Sequence, residues 1–554
     1  MAKTYDFIVV GAGPGGAALA ACLAKTQSRP SVLLLEAGGP NSDPETRIAG
    51  DRHTFWIRDG LKIDHGYKTT PQLALNGREL PYHRGKGLGG SSATNLGLWD
   101  WGSKAEFEEW ARLVGDDAWK WKNVVEVMKK IENYHDDTPA KFQKYVHPDP
   151  RDHGSGGPVD VALVSAWDPT LPMILDAIED YGLPLIPDLS CENGGSGFSV
   201  SPATAYQGLR VTASSAYLTG DLSNLDIQTD KKVARVKFEG KKAVGVELVS
   251  SEEYAASREV ILCAGAIDTP KILLLSGIGS AGDLAKYQVP LVMDLPGVGQ
   301  HMLDHPIIRL AAPVAEGHIG LDNIPVMAGA REQWLKDRTG RLADDPAVSC
   351  HGYCHLDVAS YAGFEKLDPM VQKYLSAPDT AIYEMISRIT PNMSANGFIW
   401  NCSVVMMNNQ STGRVSLNSA DPEDPANIDL NFLSEQIDIE TTTEAIRRTV
   451  EFLKGSNIPI GELAPGPVSL SDSDILDFVR ANLGHLWHGG GTVKMGKEGE
   501  EGTCITPDFR VAGVSGLRVA DLSVIPVIPS NHTQSTAYLV GEMAAKKIIG
   551  EYGL

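Results

Sequence analysis

Two histidines sit in segments unusually open for side chains of their kind. His488 lies in Leu486-Trp487-His488-Gly489-Gly490-Gly491-Thr492, and His532 in Ser530-Asn531-His532-Thr533-Gln534. An imidazole changes charge near neutral pH, so such residues can take up and hold protons. A lone histidine is more often a merely hydrogen-bonded structural residue. Glycine neighbours weigh against that reading at His488, because they leave the ring open to a ligand. Neither segment has the periodicity of a helix face. A third cluster, Cys350-His351-Gly352-Tyr353-Cys354-His355, holds four residues of metal-ligating type. No second matching ligand set accompanies it, so it reads as structural and no metal is expected.

Glycine is the compositional excess, at 57 of 554 residues, about 10% against a usual 7% or so. The first cluster follows Tyr5-Asp6-Phe7-Ile8-Val9-Val10, an apolar run suited to a buried parallel strand, and leads into Gly11-x-Gly13-x-x-Gly16. A helix is expected over Ala17 to Lys25 and a second strand over Ser31 to Leu35. This order places a pyrophosphate on a helix N-terminus, and Glu36 stands at the spacing where a carboxylate holds ribose hydroxyls. Glu36 would repel a 2′-phosphate. Gly277, Gly279 and Gly282 repeat the pattern, but they follow Thr269-Pro270-Lys271-Ile272-Leu273-Leu274-Leu275. Pro270 suits a first helical turn and Gly277 a helix end, so this copy reads as a terminator and turn.

Lys and Arg number 49 against 70 Asp and Glu, for a net charge of −21. That balance argues against nucleic acid or an anionic membrane as partner. A 42% hydrophobic and 21% charged composition describes a folded globular protein. The apolar stretch from Phe7 to Ala24 is broken by glycines and reads as fold rather than as a signal or anchor. Seven cysteines, few and odd in number, suit a reducing compartment, and a cytoplasmic location is expected.

The second glycine cluster, Arg84-Gly85-Lys86-Gly87-Leu88-Gly89-Gly90-Ser91-Ser92-Ala93-Thr94-Asn95, offers main-chain amides and hydroxyls to a closely held ligand. With the first cluster it resembles the glucose–methanol–choline (GMC) family of FAD-dependent oxidoreductases. The resemblance runs along the chain. Gly265-Ala266-Ile267-Asp268-Thr269-Pro270 through Ser276-Gly277-Ile278-Gly279 is similar to the family's second signature. Pro296-Gly297-Val298-Gly299 with Asp304-His305 resembles the segment after it, and Gly516-Leu517-Arg518-Val519-Ala520-Asp521 the last FAD-binding strand.

The resemblance implies an α/β fold: a doubly wound, Rossmann-like FAD-binding domain interleaved with an α+β substrate domain that contains an antiparallel sheet. Residues 1–160, 205–310 and 490–554 are expected in the first, and 161–204 with 311–489 in the second. By position it assigns Gly11, Gly13, Gly16 and Glu36 to the adenosine and pyrophosphate half of FAD. Arg84, Gly89, Gly90, Ser91 and Asn95 fall toward the pyrophosphate and flavin, Val233 at the adenine and Asp521 near the ribityl chain. Val233 is otherwise strand core, and Asp521 a helix cap. Thr94 stands where covalently flavinylated members have histidine, which implies non-covalent FAD.

The implied reaction oxidises an alcohol to a carbonyl by hydride transfer to flavin N5. His488 is the expected base, and His532 the partner that orients the alcohol and stabilises the developing alkoxide. The expected substrate is a small primary or aryl alcohol or a sugar, with oxygen or another electron acceptor. The alternative is a non-redox member resembling the hydroxynitrile lyases or cyclases, using the same pair. Two positions depart from the family pattern: Gly489 replaces a usual proline and His301 a usual asparagine. Trp99, Asp100 and Trp101 either line the pocket or pack beneath it.

Overall fold

In the computed structural model, which describes residues 3–51, 63–163, 170–191, 196–315, 327–340, 342–343, 349–391 and 397–554, the chain is built on two large sheets. The first opens with strand Lys3–Val10, whose residues Phe7 to Val10 are all buried, which explains the unbroken apolar run. Val32–Leu35 and Glu253–Leu262 flank it in parallel, and Leu225–Gln228 lies beyond Val32–Leu35. Leu517–Val519, from near the other chain terminus, runs parallel beside Glu253–Leu262. Lys242–Leu248 and Val233–Glu239 add two antiparallel strands. Helix Pro14–Ala24 packs against helix Gln534–Tyr552, so the two ends of the chain share one core.

The second sheet is antiparallel throughout. Its strands run in the order Gly484–His485, Pro306–Val314, Phe398–Met406, Tyr383–Pro391, Cys350–Cys354 and Gly197–Val200. Side-chain alternation divides its faces. Ile308, Leu310, Trp400, Cys402, Val404, Met385 and Ile389 are buried in one core with Ala445, Ile446, Val450 and Phe452 of helix Gln436–Gly455. The opposite face carries Arg309, Asn401, Ser403, Ile386 and Arg388, and these line a cavity between the sheets. The boundary expected at residue 310 falls inside strand Pro306–Val314.

Two local expectations change. The first helix begins at Pro14, with proline in its opening turn, where the missing N–H leaves no bond unmade. Pro270 lies inside helix Gly265–Leu275, not in its first turn. The helix tolerates it because the carbonyl that proline leaves without a donor, Ala266 O, accepts the Thr492 hydroxyl at 2.7 Å. Gly277 follows that helix with φ +83°, as a terminator does. In the cysteine–histidine cluster, alternation along strand Cys350–Cys354 turns Cys350 toward the apolar core and His351 to the other face. Such a strand cannot gather all four residues on one ion. All seven cysteines are free, and among the described residues no helix is long and apolar enough to cross a membrane.

Candidate active site

A cavity of about 540 Å³ runs between the sheets, from Glu36 at one end to His488 and His532 at the other. At the Glu36 end the wall is mostly main chain. Gly11 has φ +101°, and a Cβ there would fall 2.4 Å from Cys263 O. Gly16 lies off the cavity and serves packing, since its Cβ would meet Gly11 O at 2.0 Å. Gly13 is different: a Cβ there would meet nothing nearer than Gly90 Cα at 4.0 Å. It stands at the N-cap of helix Pro14–Ala24, which has no side-chain cap, so the first helical amides are left for a ligand.

Glu36 ties the two glycine clusters together. Its carboxylate accepts from Ala12 N at 2.9 Å, Gly38 N at 2.9 Å and Gly87 N at 3.0 Å. Arg84, Gly90, Ser91 and Asn95 line the cavity. Arg84 Nη1 donates to Trp487 O, Ser91 Oγ accepts from Gly85 N at 3.1 Å, and Asn95 Nδ2 donates to Gln534 Oε1 at 2.9 Å. Gly89 sits behind them, its N–H donating to Ala12 O at 3.0 Å, and does not line the cavity. Val233 opens its strand and also faces the cavity. Asp521 both lines the cavity and caps: it accepts from Gly265 N at 2.8 Å, Thr269 Oγ1 at 2.6 Å and Ser523 N at 2.7 Å. A cradle of main-chain amides with a carboxylate beyond it fits a dinucleotide.

At the other end the wall is made of side chains. The rings of His488 and His532 meet edge to face, with centroids 5.2 Å apart. His488 follows Trp487, whose φ is +58°, and its N–H donates to Asp304 Oδ1 at 2.8 Å. Its Nδ1 pairs with His305 Nδ1 at 2.8 Å. Burial, with the nearby charges of His305, His532 and Arg84, pushes the His488 imidazolium well below the usual histidine range. His305 is itself lowered to about 3, chiefly by burial.

His532 is biased the other way. Its main-chain N–H donates to Asp100 Oδ1 at 2.8 Å, and its Nε2 meets Glu384 Oε1 at 3.2 Å. Burial opposes its charge, but the carboxylates of Glu384 and Asp100 outweigh that and raise it above the ordinary value. The same oxygen of Glu384 pairs with His351 Nδ1 at 2.5 Å, and His351 Nε2 with Ser349 Oγ at 2.7 Å. Burial would raise the Glu384 carboxyl, yet the two histidines hold it at about 2. A buried carboxylate between two imidazoles is thus the source of the asymmetry.

Trp99 and Trp101 pack beneath the pocket, both donating from their indole nitrogens to the buried Glu132 Oε2, at 2.9 and 3.2 Å. Asp100, between them, holds His532. Gly489 accommodates the Tyr82 hydroxyl, which a Cβ would meet at 2.4 Å. That hydroxyl donates to Asp304 Oδ2 at 2.6 Å, so the position braces the loop of His488. His301 has φ +58°, bonds Pro526 O at 3.2 Å and does not line the cavity. Sequence reading missed Glu384, His351 and Arg309. Glu384-Met385-Ile386-Ser387-Arg388 offered no signal, because its polar residues fall at 384, 387 and 388 and do not alternate as those of a half-buried strand do.

Comparison with known proteins agrees with this fold. Family models described as GMC oxidoreductase match residues 5–307 and 409–541. Human mitochondrial choline dehydrogenase is 32% identical, over 99% of this chain and 90% of its own length. Dehydrogenase pkfF of Emericella nidulans is 30% identical over 98% and 93%. A solved structure of a formate oxidase variant from Aspergillus oryzae RIB40 superposes with a TM-score of 0.87 at 28% identity, covering 100% of this chain and 99% of the other. On the fold, the cradle and these matches together, the chain belongs to the GMC oxidoreductase family and is an FAD-dependent alcohol oxidoreductase.

Proposed function

We propose that the enzyme oxidises a small primary or aryl alcohol or a sugar, with His488 as the general base and His532 as the hydrogen-bonding partner. The observation that carries this reading is the opposite bias of two adjacent imidazoles, one whose charged form burial disfavours and the other whose charged form the carboxylate of Glu384 favours. Paired groups whose environments drive their charges apart divide acid and base work between them. Residues 1–160, 205–310 and 490–554 are assigned to FAD binding, and 161–204 with 311–489 to the substrate side. Gly11, Gly13, Glu36, Arg84, Gly90, Ser91, Asn95, Val233 and Asp521 would hold FAD, with Gly16 and Gly89 packing behind. Thr94 donates to Ser91 O at 3.3 Å and offers no covalent link to the ring.

Bound FAD supplies the two-electron acceptor for the carbinol hydride. The protein's part is the proton. With His488 Nδ1 engaged by His305, the remaining nitrogen, Nε2, takes the hydroxyl proton. His305 accepts from Nδ1–H, which fixes the tautomer and leaves Nε2 as the free acceptor. His532, paired through Nε2 with Glu384, which favours its protonated form, offers its Nδ1–H to the oxygen that becomes negative.

The test is anaerobic: mix the enzyme with a panel of primary, aryl, sugar and secondary alcohols and follow bleaching of the flavin. At least one class should bleach it. In His488→Ala the rate of that bleaching should fall by at least about 10²-fold, the lower end of general-base assistance. Wild-type rates in the variant would sink the assignment, and a flavin that stays yellow with a substrate being turned over would point to lyase chemistry.

A further inference from the structure

The face of the second sheet that lines the cavity carries two guanidinium groups that the proton chemistry does not use. Arg309 stands directly across from Ser403, and Arg388 directly across from Asn401; all four line the cavity. Arg309 is exposed there, and among the described residues its guanidinium has neither a hydrogen-bond partner nor a carboxylate within 4.0 Å. Burial within the protein and then the charge of Arg388 lower its pKa, so each cation lies in the other's field. Two like charges on one cavity wall repel, and an anion between them relieves both terms.

The strand spacing locates them relative to the chemistry. His305, which pairs with His488, is four residues before Arg309, and Glu384, which holds His532, is four residues before Arg388. Four residues of strand span about 13 Å, and an arginine side chain can reach back over roughly half of that. With that reach, each guanidinium can approach to within one short chain, or one aromatic ring, of the histidine pair. Asn401 and Ser403 lie between the two arginines with further hydrogen-bonding groups. A guanidinium fork matches a carboxylate in shape as well as charge.

We infer that Arg309 and Arg388 form an anion subsite, and that the preferred substrate is an alcohol carrying a carboxylate, an ω-hydroxy acid or a hydroxymethyl aryl acid. This rests on the alcohol oxidation proposed above. The test uses the holoenzyme with matched pairs: 4-(hydroxymethyl)benzoate against 4-(hydroxymethyl)benzamide, and 3-hydroxypropanoate against 3-hydroxypropanamide. In anaerobic flavin reduction at least one acid should exceed its amide at least tenfold in rate over dissociation constant. Arg309→Gln and Arg388→Gln should each cut that preference at least tenfold, and Arg309→Lys should restore part of it. Independently of turnover, benzoate should perturb the flavin absorption spectrum of the wild type, and in Arg309→Gln should need at least tenfold more to do so. Equal rates for acids and amides, or a preference that survives both glutamine variants, would overturn the subsite, as would benzoate binding unchanged by them. If no alcohol bleaches the flavin but benzoate binding depends on Arg309, the oxidation reading fails and the subsite stands.

Discussion

The two ends of the cavity hold their ligands by different means. Around Gly11–Gly16 and Arg84–Asn95 the lining groups come mainly from the main chain, locked by glycines such as Gly11 and Gly85 that admit no side chain and by Glu36, which joins the two loops by accepting hydrogen bonds from Ala12 N and Gly87 N. Around His488 and His532 they come from side chains on distant segments: His305, Glu384, His351, Asp100 and Tyr82. The first construction suits a cofactor that never changes, since a main-chain cradle cannot be altered without moving the fold. The second suits chemistry tuned by charge, because one residue on a strand can be exchanged while the sheet stays as it is.

The largest expected effect therefore lies at the main-chain end. Gly11→Ala sets a Cβ into Cys263 O at a backbone conformation, φ +101°, that other residues avoid. Neither neighbour can give way, so the strand and helix must shift apart. The variant should come off a desalting column nearly without flavin, read as the ratio of absorbance near 450 nm to that at 280 nm. Full retention would break the contrast between the two ends, and flavin that stayed with the wild-type chain in denaturant would show a covalent link.

Glu384→Gln is expected to act on the proton chemistry and leave the flavin in place. In the wild type, flavin reduction should rise as His488 loses its proton, below the usual histidine range, and fall at higher pH as His532, whose pKa is raised from its ordinary value, loses its own. Removing the negative charge lowers only the second, so the alkaline limb should move to lower pH while the acid limb stays. Above the new midpoint the rate should drop about tenfold per pH unit. Glu384→Asp should restore part of the shift. A profile unchanged in shape, or one whose acid limb alone moves, would separate Glu384 from His532.

The same contrast explains what could be read from the residues alone. The cradle was legible because a turn, a close approach and a helix N-terminus each demand glycine at a set spacing, and Glu36 follows at a set distance. Even there, the glycines divide between ligand and packing in a way spacing does not express: Gly13 faces the cavity and Gly16 faces Gly11 O. His488 and His532 were legible through their small and glycine neighbours and the family pattern. Glu384 and His351 were not, because their partner His532 lies far along the chain and only strand pairing brings them to it. The Cys350–His355 cluster, read as structural, shows the opposite relation. Its residues are adjacent in sequence, and strand alternation sends them to opposite faces. Length alone cannot show that strands near both termini enter one sheet.

The smallest effect expected is at Tyr82 and Gly489, where the side-chain end borrows the close packing of the other. Tyr82→Phe removes a donor from a buried Asp304 oxygen while leaving the carboxylate its bonds from His305 N and His488 N. Losing one such bond costs about 1–3 kcal/mol, which should appear as a lower melting temperature with less than a tenfold change in flavin reduction. Gly489→Ala alone should do more harm, because its Cβ meets the Tyr82 hydroxyl at 2.4 Å. With Phe at position 82 that oxygen is gone, so the double variant should be more stable than the two separate losses predict, by an interaction on the order of 1 kcal/mol. Strict additivity in thermal or denaturant unfolding would mean that Gly489 is not there for Tyr82, and that the loop of His488 is held by Asp304 alone.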